Sequence, residues 1–113
     1  MKHRYRLGDK ERFRQVRQGG ESFRHPLMVL CVLSNGQAIS RCGFTASRRL
    51  GHAVTRNRAR RRMSEAVRLA WDLVLPGWDM VWIARTGINE AHFSELQEAC
   101  VQLLRRAHLL RTQ

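Results

Sequence analysis

The run PLMVLCVL, residues 26–33, contains only apolar residues and proline and is followed by Ser34-Asn35-Gly36. A continuous apolar run of this length that ends at a turn signal is typical of a strand buried on both faces. Asn-Gly is the strongest short signal for a hairpin turn. We therefore expect a central strand here, paired as a hairpin with the segment of residues 37–47.

Alternation divides that second segment between two faces, because successive side chains of a strand point to opposite sides. The first face holds Ala38, Ser40, Cys42, Phe44 and Ala46, and the second holds Ile39, Arg41, Gly43, Thr45 and Ser47. The second face is the one that we expect to meet a ligand.

Helical patterns lie on both sides of these strands. DKERFRQVRQ, residues 9–18, has Asp9 as a candidate N-cap and Gly19-Gly20 as a stop signal. From about residue 53 to 71, apolar residues recur at helical spacing, which predicts a helix with one face against the sheet. This stripe comprises Ala59, Met63, Ala66, Val67 and Ala70.

Three further elements complete the pattern. Residues 21–24 form a candidate edge strand, and WDMVWIAR, residues 78–85, has the aromatic and β-branched content of another strand. A last helix is expected over residues 89–110. The order predicts one domain over residues 1–113, an α+β sandwich with a mixed or antiparallel sheet.

The charge of the chain is large and uneven. Its 113 residues carry 21 Lys plus Arg against 9 Asp plus Glu, a net charge of +12, and 43% of them are hydrophobic. Residues 1–24 carry a net +5, residues 25–40 no charge, residues 41–68 a net +8, and residues 69–113 a net −1. Two basic blocks around an apolar stretch predict a nucleic-acid surface on one side of a folded domain.

Other classes of protein are disfavoured by the same composition. No apolar run is long enough to span a bilayer, and MKHRYRLGDK lacks the apolar core of a signal peptide, so we expect a cytoplasmic protein. The three cysteines show no disulfide or metal spacing, and the five histidines show no metal-ligand spacing. The nine carboxylates are scattered along the chain, so we expect no catalytic residue and no protein-bound metal.

The expected helix after residue 53 carries the densest charge. Arg56-Asn57-Arg58 is followed by Arg60 and Arg61, and like charges four positions apart destabilise an isolated helix. Phosphates would compensate this repulsion, whereas an ordinary solvated helix face alternates in sign. The pattern therefore predicts nucleic-acid binding.

Ordered motifs around this helix resemble the protein subunit of bacterial ribonuclease P, and the resemblance covers nearly the whole chain. These motifs are GFTASRRLG at residues 43–51, Ala-Val at 53–54, the RNR triplet at 56–58 with Arg60-Arg61, and DMVWIAR at 79–85. The resemblance implies a two-layer sandwich of a four-stranded mixed sheet and three helices, like the second domain of ribosomal protein S5. It also implies a left-handed βαβ crossover, which the general rule of handedness would not predict.

The resemblance further implies a role in removing the 5′ leader from precursor tRNA. The catalytic RNA subunit would perform the hydrolysis and hold most of the Mg²⁺, while the protein is a non-catalytic subunit that binds no cofactor alone and no small-molecule substrate. By position, the residues matching the contacts to the catalytic RNA are Arg56, Asn57, Arg58, Arg60 and Arg61. Those matching the leader-binding cleft are Phe13, Arg17, Cys31, Thr45, Arg48, Arg49 and Arg85.

Two of these cleft positions depart from the family pattern. Arg17 stands where many members carry a second aromatic residue one helical turn after the first, and Cys31 stands where an aromatic residue is often found in the central strand. The departures imply that binding of the leader relies more on electrostatic attraction and less on base stacking. The alternative reading is a general or ribosome-associated RNA-binding protein of the same fold without a processing role.

Overall fold

One four-stranded sheet organises the chain in the computed structural model, which describes residues 1–111. The strands are β1 (Glu21–Arg24), β2 (Met28–Ser34), β3 (Arg41–Thr45) and β4 (Trp78–Ala84), and the helices are α1 (Lys10–Gly19), α2 (Ala53–Ala70) and α3 (Phe93–Arg106). Short 3-10 turns span His3–Tyr5, Arg48–Leu50 and Trp71–Leu73. The α+β class is therefore confirmed.

The strand order is β1-β2-β4-β3. β2 pairs antiparallel with both β1 and β4, whereas β3 pairs parallel with β4. The sheet is mixed, β2 is a central strand and β1 an edge strand, as the sequence predicts. α2 connects the parallel neighbours β3 and β4, and the three elements form the βαβ unit that the resemblance implies. The left-handed crossover of this unit stays a prediction.

The expected hairpin between β2 and the segment of residues 37–47 is wrong. β4 occupies the position beside β2, and the two strands pair over seven residues, from Met28 opposite Ala84 to Ser34 opposite Trp78. The apolar content of β4 outweighs the local turn signal. Asn35 instead organises a longer loop, in which its side chain donates to the carbonyl of Ile39 at 3.1 Å.

The helix ends follow their capping chemistry. Asp9 caps α1, and its carboxylate accepts hydrogen bonds from the backbone N–H groups of Glu11 and Arg12 at 2.9 and 3.3 Å. α3 begins later than the expected residue 89 because residues 86–90 form turns before it. At its other end, His108 has a φ of 59°, the left-handed conformation that ends many helices.

The two faces of the sheet carry different cores. α2 and α3 cover one face, where the predicted α2 stripe is buried against Met80 and Trp82 of β4. α1 covers part of the other face with a smaller cluster, in which Val16 packs on Cys31 and Val81. The single helix leaves some of this second face uncovered, and that opening positions the site.

Candidate nucleic-acid interface

The cleft beside α1 depends on close contact between Phe13 and β3. Phe13 lies half-buried in the α1 core, and its ring rests on the backbone of Gly43. A Cβ atom at position 43 would stand 2.8 Å from Cδ2 of that ring, closer than real Cβ contacts. Glycine at position 43 therefore allows the aromatic ring to lie against the strand.

A buried carboxylate anchors the same helix to the sheet. The side chain of Asp79, at 0% exposure, accepts from Nε of Arg12 at 2.7 Å, and from Nε and Nη2 of Arg41 at 2.9 and 2.8 Å. Nδ2 of Asn35 donates to the same carboxylate at 2.9 Å. Arg12 also reaches the carbonyl of Ser34 at 2.9 Å, so one guanidinium connects α1 to β2 and β4.

These partners determine the ionisation of Asp79. Burial raises the pKa of this carboxyl, but hydrogen bonds from Arg41, Asn35 and Arg12 outweigh burial and hold its pKa below the ordinary value. Asp79 is therefore an anion at neutral pH, and its charge keeps α1 at a fixed position over the sheet.

An open groove of about 350 Å³ runs along the uncovered part of this face. Its floor is apolar, and three guanidinium groups come from α1, β1 and the end of β4. The lining residues are Arg17, Ser22, Arg24, Val29, Cys31, Ile83 and Arg85. An apolar floor between cations suits a single RNA strand, whose bases stack on flat groups while its phosphates meet positive charge.

The exposed side of α2 is a second cationic surface. Asn57, Arg58 and Arg61 are exposed, and Arg60 donates a hydrogen bond to the side-chain oxygen of Asn57. Arg56 is half-buried, and its Nε has no hydrogen-bond partner among residues 1–111. The first three turns of α2 therefore present guanidinium groups with few protein partners.

Arg62 differs from this set, although its helical position groups it with Arg58. Its Nη1 and Nη2 donate to the carbonyls of Ile88 and Ala91, both at 2.6 Å. Asn89 donates from the same loop to the carbonyl of Thr55 at 3.0 Å. Arg62 therefore fixes the loop before α3 against α2, and its charge is satisfied by backbone.

Comparison with known proteins identifies the family. The family model described as Ribonuclease P matches residues 1–108. The chain belongs to the ribonuclease P protein family. It is 45% identical over 111 residues to the ribonuclease P protein component of Roseiflexus sp. strain RS-1, covering 97% of this chain and 91% of the relative. It is 48% identical over 111 residues to that of Chloroflexus aurantiacus strain J-10-fl, covering 97% and 82%.

Solved structures of ribonuclease P proteins share the fold. The protein from Thermotoga maritima aligns with a TM-score of 0.81 at 28% identity, over 89% of this chain and 96% of that one. The Staphylococcus aureus protein aligns with a TM-score of 0.83 at 24% identity, over 95% and 98%. The observed sheet and its three helices are therefore the ribonuclease P protein fold.

The leader-binding residues predicted for a ribonuclease P protein fall into two groups. Arg17, Cys31 and Arg85 line the groove together. Phe13 lies one helical turn before Arg17, beside the groove, and Thr45 pairs with Ile83 of the groove floor. Arg48 and Arg49 are exposed on the 3-10 turn after β3, outside the groove lining.

Sequence reasoning missed four groove residues, which are Ser22, Arg24, Val29 and Ile83, and it also missed the anchor below α1. Ser22 and Arg24 reach the groove because β1 pairs Ser22 opposite Cys31 and Arg24 opposite Val29. A four-residue edge strand gives too little alternation to assign its faces. Asp79 did carry a signal, since a lone carboxylate at the start of an apolar strand needs a buried partner.

Burial keeps two of the cysteine thiols protonated at neutral pH. Burial raises the pKa of the Cys42 thiol, and burial also raises the pKa of Cys100 to about 12. Among residues 1–111, no three His, Cys, Asp or Glu side chains are grouped to hold a metal ion. No helix in that range is long and apolar enough to cross a membrane.

Proposed function

We propose that this chain is the protein component of ribonuclease P and acts with a catalytic RNA on precursor tRNA. The family match over residues 1–108 and the relatives called ribonuclease P protein component support the assignment. The observation that carries the proposed division of labour is the presence of two separate cationic surfaces, the groove beside α1 and the exposed side of α2.

The 5′ leader of the precursor occupies the groove in this proposal. Cys31 and Ile83 form an apolar floor for bases, while Arg17, Arg24 and Arg85 neutralise phosphates or stack on bases. Phe13 adds an aromatic face beside the groove. Thr45, Arg48 and Arg49 extend the path beyond the end of β3.

The catalytic RNA binds α2. Arg58 and Arg61 are exposed with side chains available for phosphates, and Arg60 orients the amide of Asn57. Arg56 contributes a half-buried guanidinium at the start of the helix. Phosphate oxygens at this surface would relieve the repulsion between Arg56 and Arg60, which lie four positions apart.

Magnesium belongs to the RNA partner in this proposal. The residues described offer no grouped carboxylates for a hydrated Mg²⁺, which binds proteins mainly through carboxylates and substrate phosphates. The protein instead positions the leader and lowers phosphate repulsion. We also propose that the chain is one RNA-binding domain and acts in the cytoplasm.

The direct test compares precursor tRNA with and without a 5′ leader in the reconstituted complex. The wild-type complex should bind the leader-bearing precursor more tightly, and Arg85→Ala should reduce that difference because it removes one groove cation. Arg105→Ala is the matched control, since Arg105 is exposed near the end of α3. Equal affinity for both precursors in the wild type would contradict leader binding and favour a general RNA-binding protein.

A further inference from the structure

An aromatic pair lies at the far end of α2 from the RNR triplet. Tyr5 of the first 3-10 turn and Trp71, just after α2, have ring centroids 5.3 Å apart and planes inclined by 54°. Both residues are half-buried. The guanidinium of Arg4 lies 4.7 Å from the centroid of the Tyr5 ring, and its Nη2 donates to the Tyr5 hydroxyl at 2.6 Å. The three side chains form one cluster of two tilted rings and a guanidinium at the surface.

Two open grooves border this cluster. The larger, of about 450 Å³, is lined by Met1, Lys2, Tyr5, Arg68, Trp71 and Asp72. The smaller, of about 220 Å³, shares Tyr5, Trp71 and Asp72 and extends to Pro76 and Arg111. Both rings therefore border concave space.

The charge around the grooves favours RNA over protein as the occupant. Lys2, Arg4 and Arg6 are exposed within the first six residues. Asp72 is also exposed and borders both grooves, so its carboxylate repels phosphates and peptide carboxylates alike and accepts hydrogen bonds from neutral or cationic N–H groups. An unpaired nucleobase presents N–H groups that a carboxylate accepts, while its phosphates meet the cations.

We propose that Tyr5, Trp71 and Arg4 form a stacking platform for an unpaired base of single-stranded RNA, a third RNA contact of this protein. Trp71 follows Arg58 by thirteen positions, so a helical rise of 1.5 Å per residue separates them by about 20 Å. The platform therefore binds a different RNA segment from the one at the RNR triplet. This segment belongs either to the catalytic RNA or to the precursor, and the proposal does not depend on leader binding in the groove.

The test measures the affinity of full-length variants for three RNAs: the catalytic RNA, the precursor with its leader, and the precursor without it. Tyr5→Leu keeps apolar bulk but removes the aromatic face. Since stacking contributes roughly 1 to 3 kcal/mol per base, we expect roughly 5- to 150-fold weaker binding of the RNA that the platform holds. Tyr5→Phe, which keeps the ring, should stay within about two-fold of the wild type.

The pattern over the three RNAs identifies the source of the base. A loss confined to the catalytic RNA assigns the platform to that partner, and a loss confined to the leader-bearing precursor assigns it to the leader. Arg4→Gln changes an exposed side chain. It should weaken binding of the same RNA and leave the thermal unfolding midpoint of the protein unchanged. The proposal is overturned if Tyr5→Leu and Arg4→Gln both leave all three affinities unchanged.

Discussion

Asp79 shows how much of the site depends on a single residue. Its carboxylate connects α1 to β3 through Arg12 and Arg41, which lie 67 and 38 positions away in the chain. The sequence marks Asp79 as a polar residue at the start of an apolar strand, but it cannot identify partners so distant. Phe13 was predicted at the cleft, whereas its dependence on Gly43 follows only from the observed packing.

Replacing Asp79 by Asn should destabilise the fold. Removing one partner from a buried ion pair typically costs about 3 to 5 kcal/mol, because the remaining charges lose their compensation. Urea unfolding at neutral pH should show a loss of about 3 kcal/mol. Glu98→Gln on the exposed side of α3 is the control and should change stability by less than about 0.5 kcal/mol.

The same carboxylate makes stability depend on acid. The pKa of Asp79 in the folded chain lies below its ordinary value, so the unfolded chain takes up a proton first as the pH falls. The stabilisation is therefore complete above about pH 4, the ordinary Asp range, and is lost as the pH falls through the folded pKa. The difference in unfolding free energy between wild type and Asp79→Asn should shrink over that window. A difference that does not change with pH would contradict the ion-pair role of Asp79.

Gly43→Ala tests the placement of the aromatic ring. The new Cβ should displace the Phe13 ring from β3, and the loss of one stacked base should weaken leader affinity by roughly ten-fold, within the 1 to 3 kcal/mol range of stacking. Gly19→Ala is the matched control, because a Cβ at position 19 has no atom within 4 Å. Binding of the leader should be compared by titrating each complex with both precursors. Unchanged leader affinity in Gly43→Ala would show that Phe13 does not contact the leader.

Elements differ in how well sequence reasoning predicts them. The apolar stripe of α2 predicts its buried face correctly, because helical periodicity is a property of the segment itself. The partner of β2 was predicted wrongly, because Asn35-Gly36 is a local signal and sheet order depends on competition between distant strands. Arg58 and Arg62 lie one helical turn apart on the same side of α2. Only the contacts of Arg62 with the loop before α3 distinguish their roles.

That pair provides a matched test of α2. Arg58→Ala should weaken binding to the catalytic RNA and leave thermal stability unchanged, because Arg58 is exposed. Arg62→Met should lower thermal stability and leave RNA binding unchanged, because the guanidinium of Arg62 donates hydrogen bonds to the carbonyls of Ile88 and Ala91. Filter binding and circular dichroism on both variants measure the two effects. Equal losses of RNA affinity would place Arg62 in the RNA contact as well.

Over the whole molecule, the uneven charge distribution predicted a nucleic-acid surface, and in the folded chain the two basic blocks contribute to two cationic surfaces. The block of residues 1–24 supplies Arg17 and Arg24 to the groove, and the block of residues 41–68 supplies the exposed side of α2. The resemblance added a four-stranded mixed sheet with a βαβ unit, which composition and periodicity alone did not reveal. The strand order β1-β2-β4-β3 became visible only in the folded chain. The contribution of β1 to the groove became visible only in the folded chain.

Arg48 and Arg49 test how far the leader path extends. If both contact leader phosphates, the double alanine variant should reduce the slope of log affinity against log salt by about 1.4, at roughly 0.7 per phosphate on single-stranded RNA. The slope is measured by titrating leader-bearing precursor at several salt concentrations. An unchanged slope would confine the leader to the groove.

We propose that the chain positions precursor tRNA for an RNA catalyst and performs no hydrolysis itself. The most direct measurement is 5′ cleavage of a precursor tRNA by the purified chain alone, by ribonuclease P RNA alone, and by the two combined at modest Mg²⁺. We expect efficient release of the leader only in the combined reaction. Robust cleavage by the RNA-free chain, or no gain on adding the chain to the RNA, would contradict it.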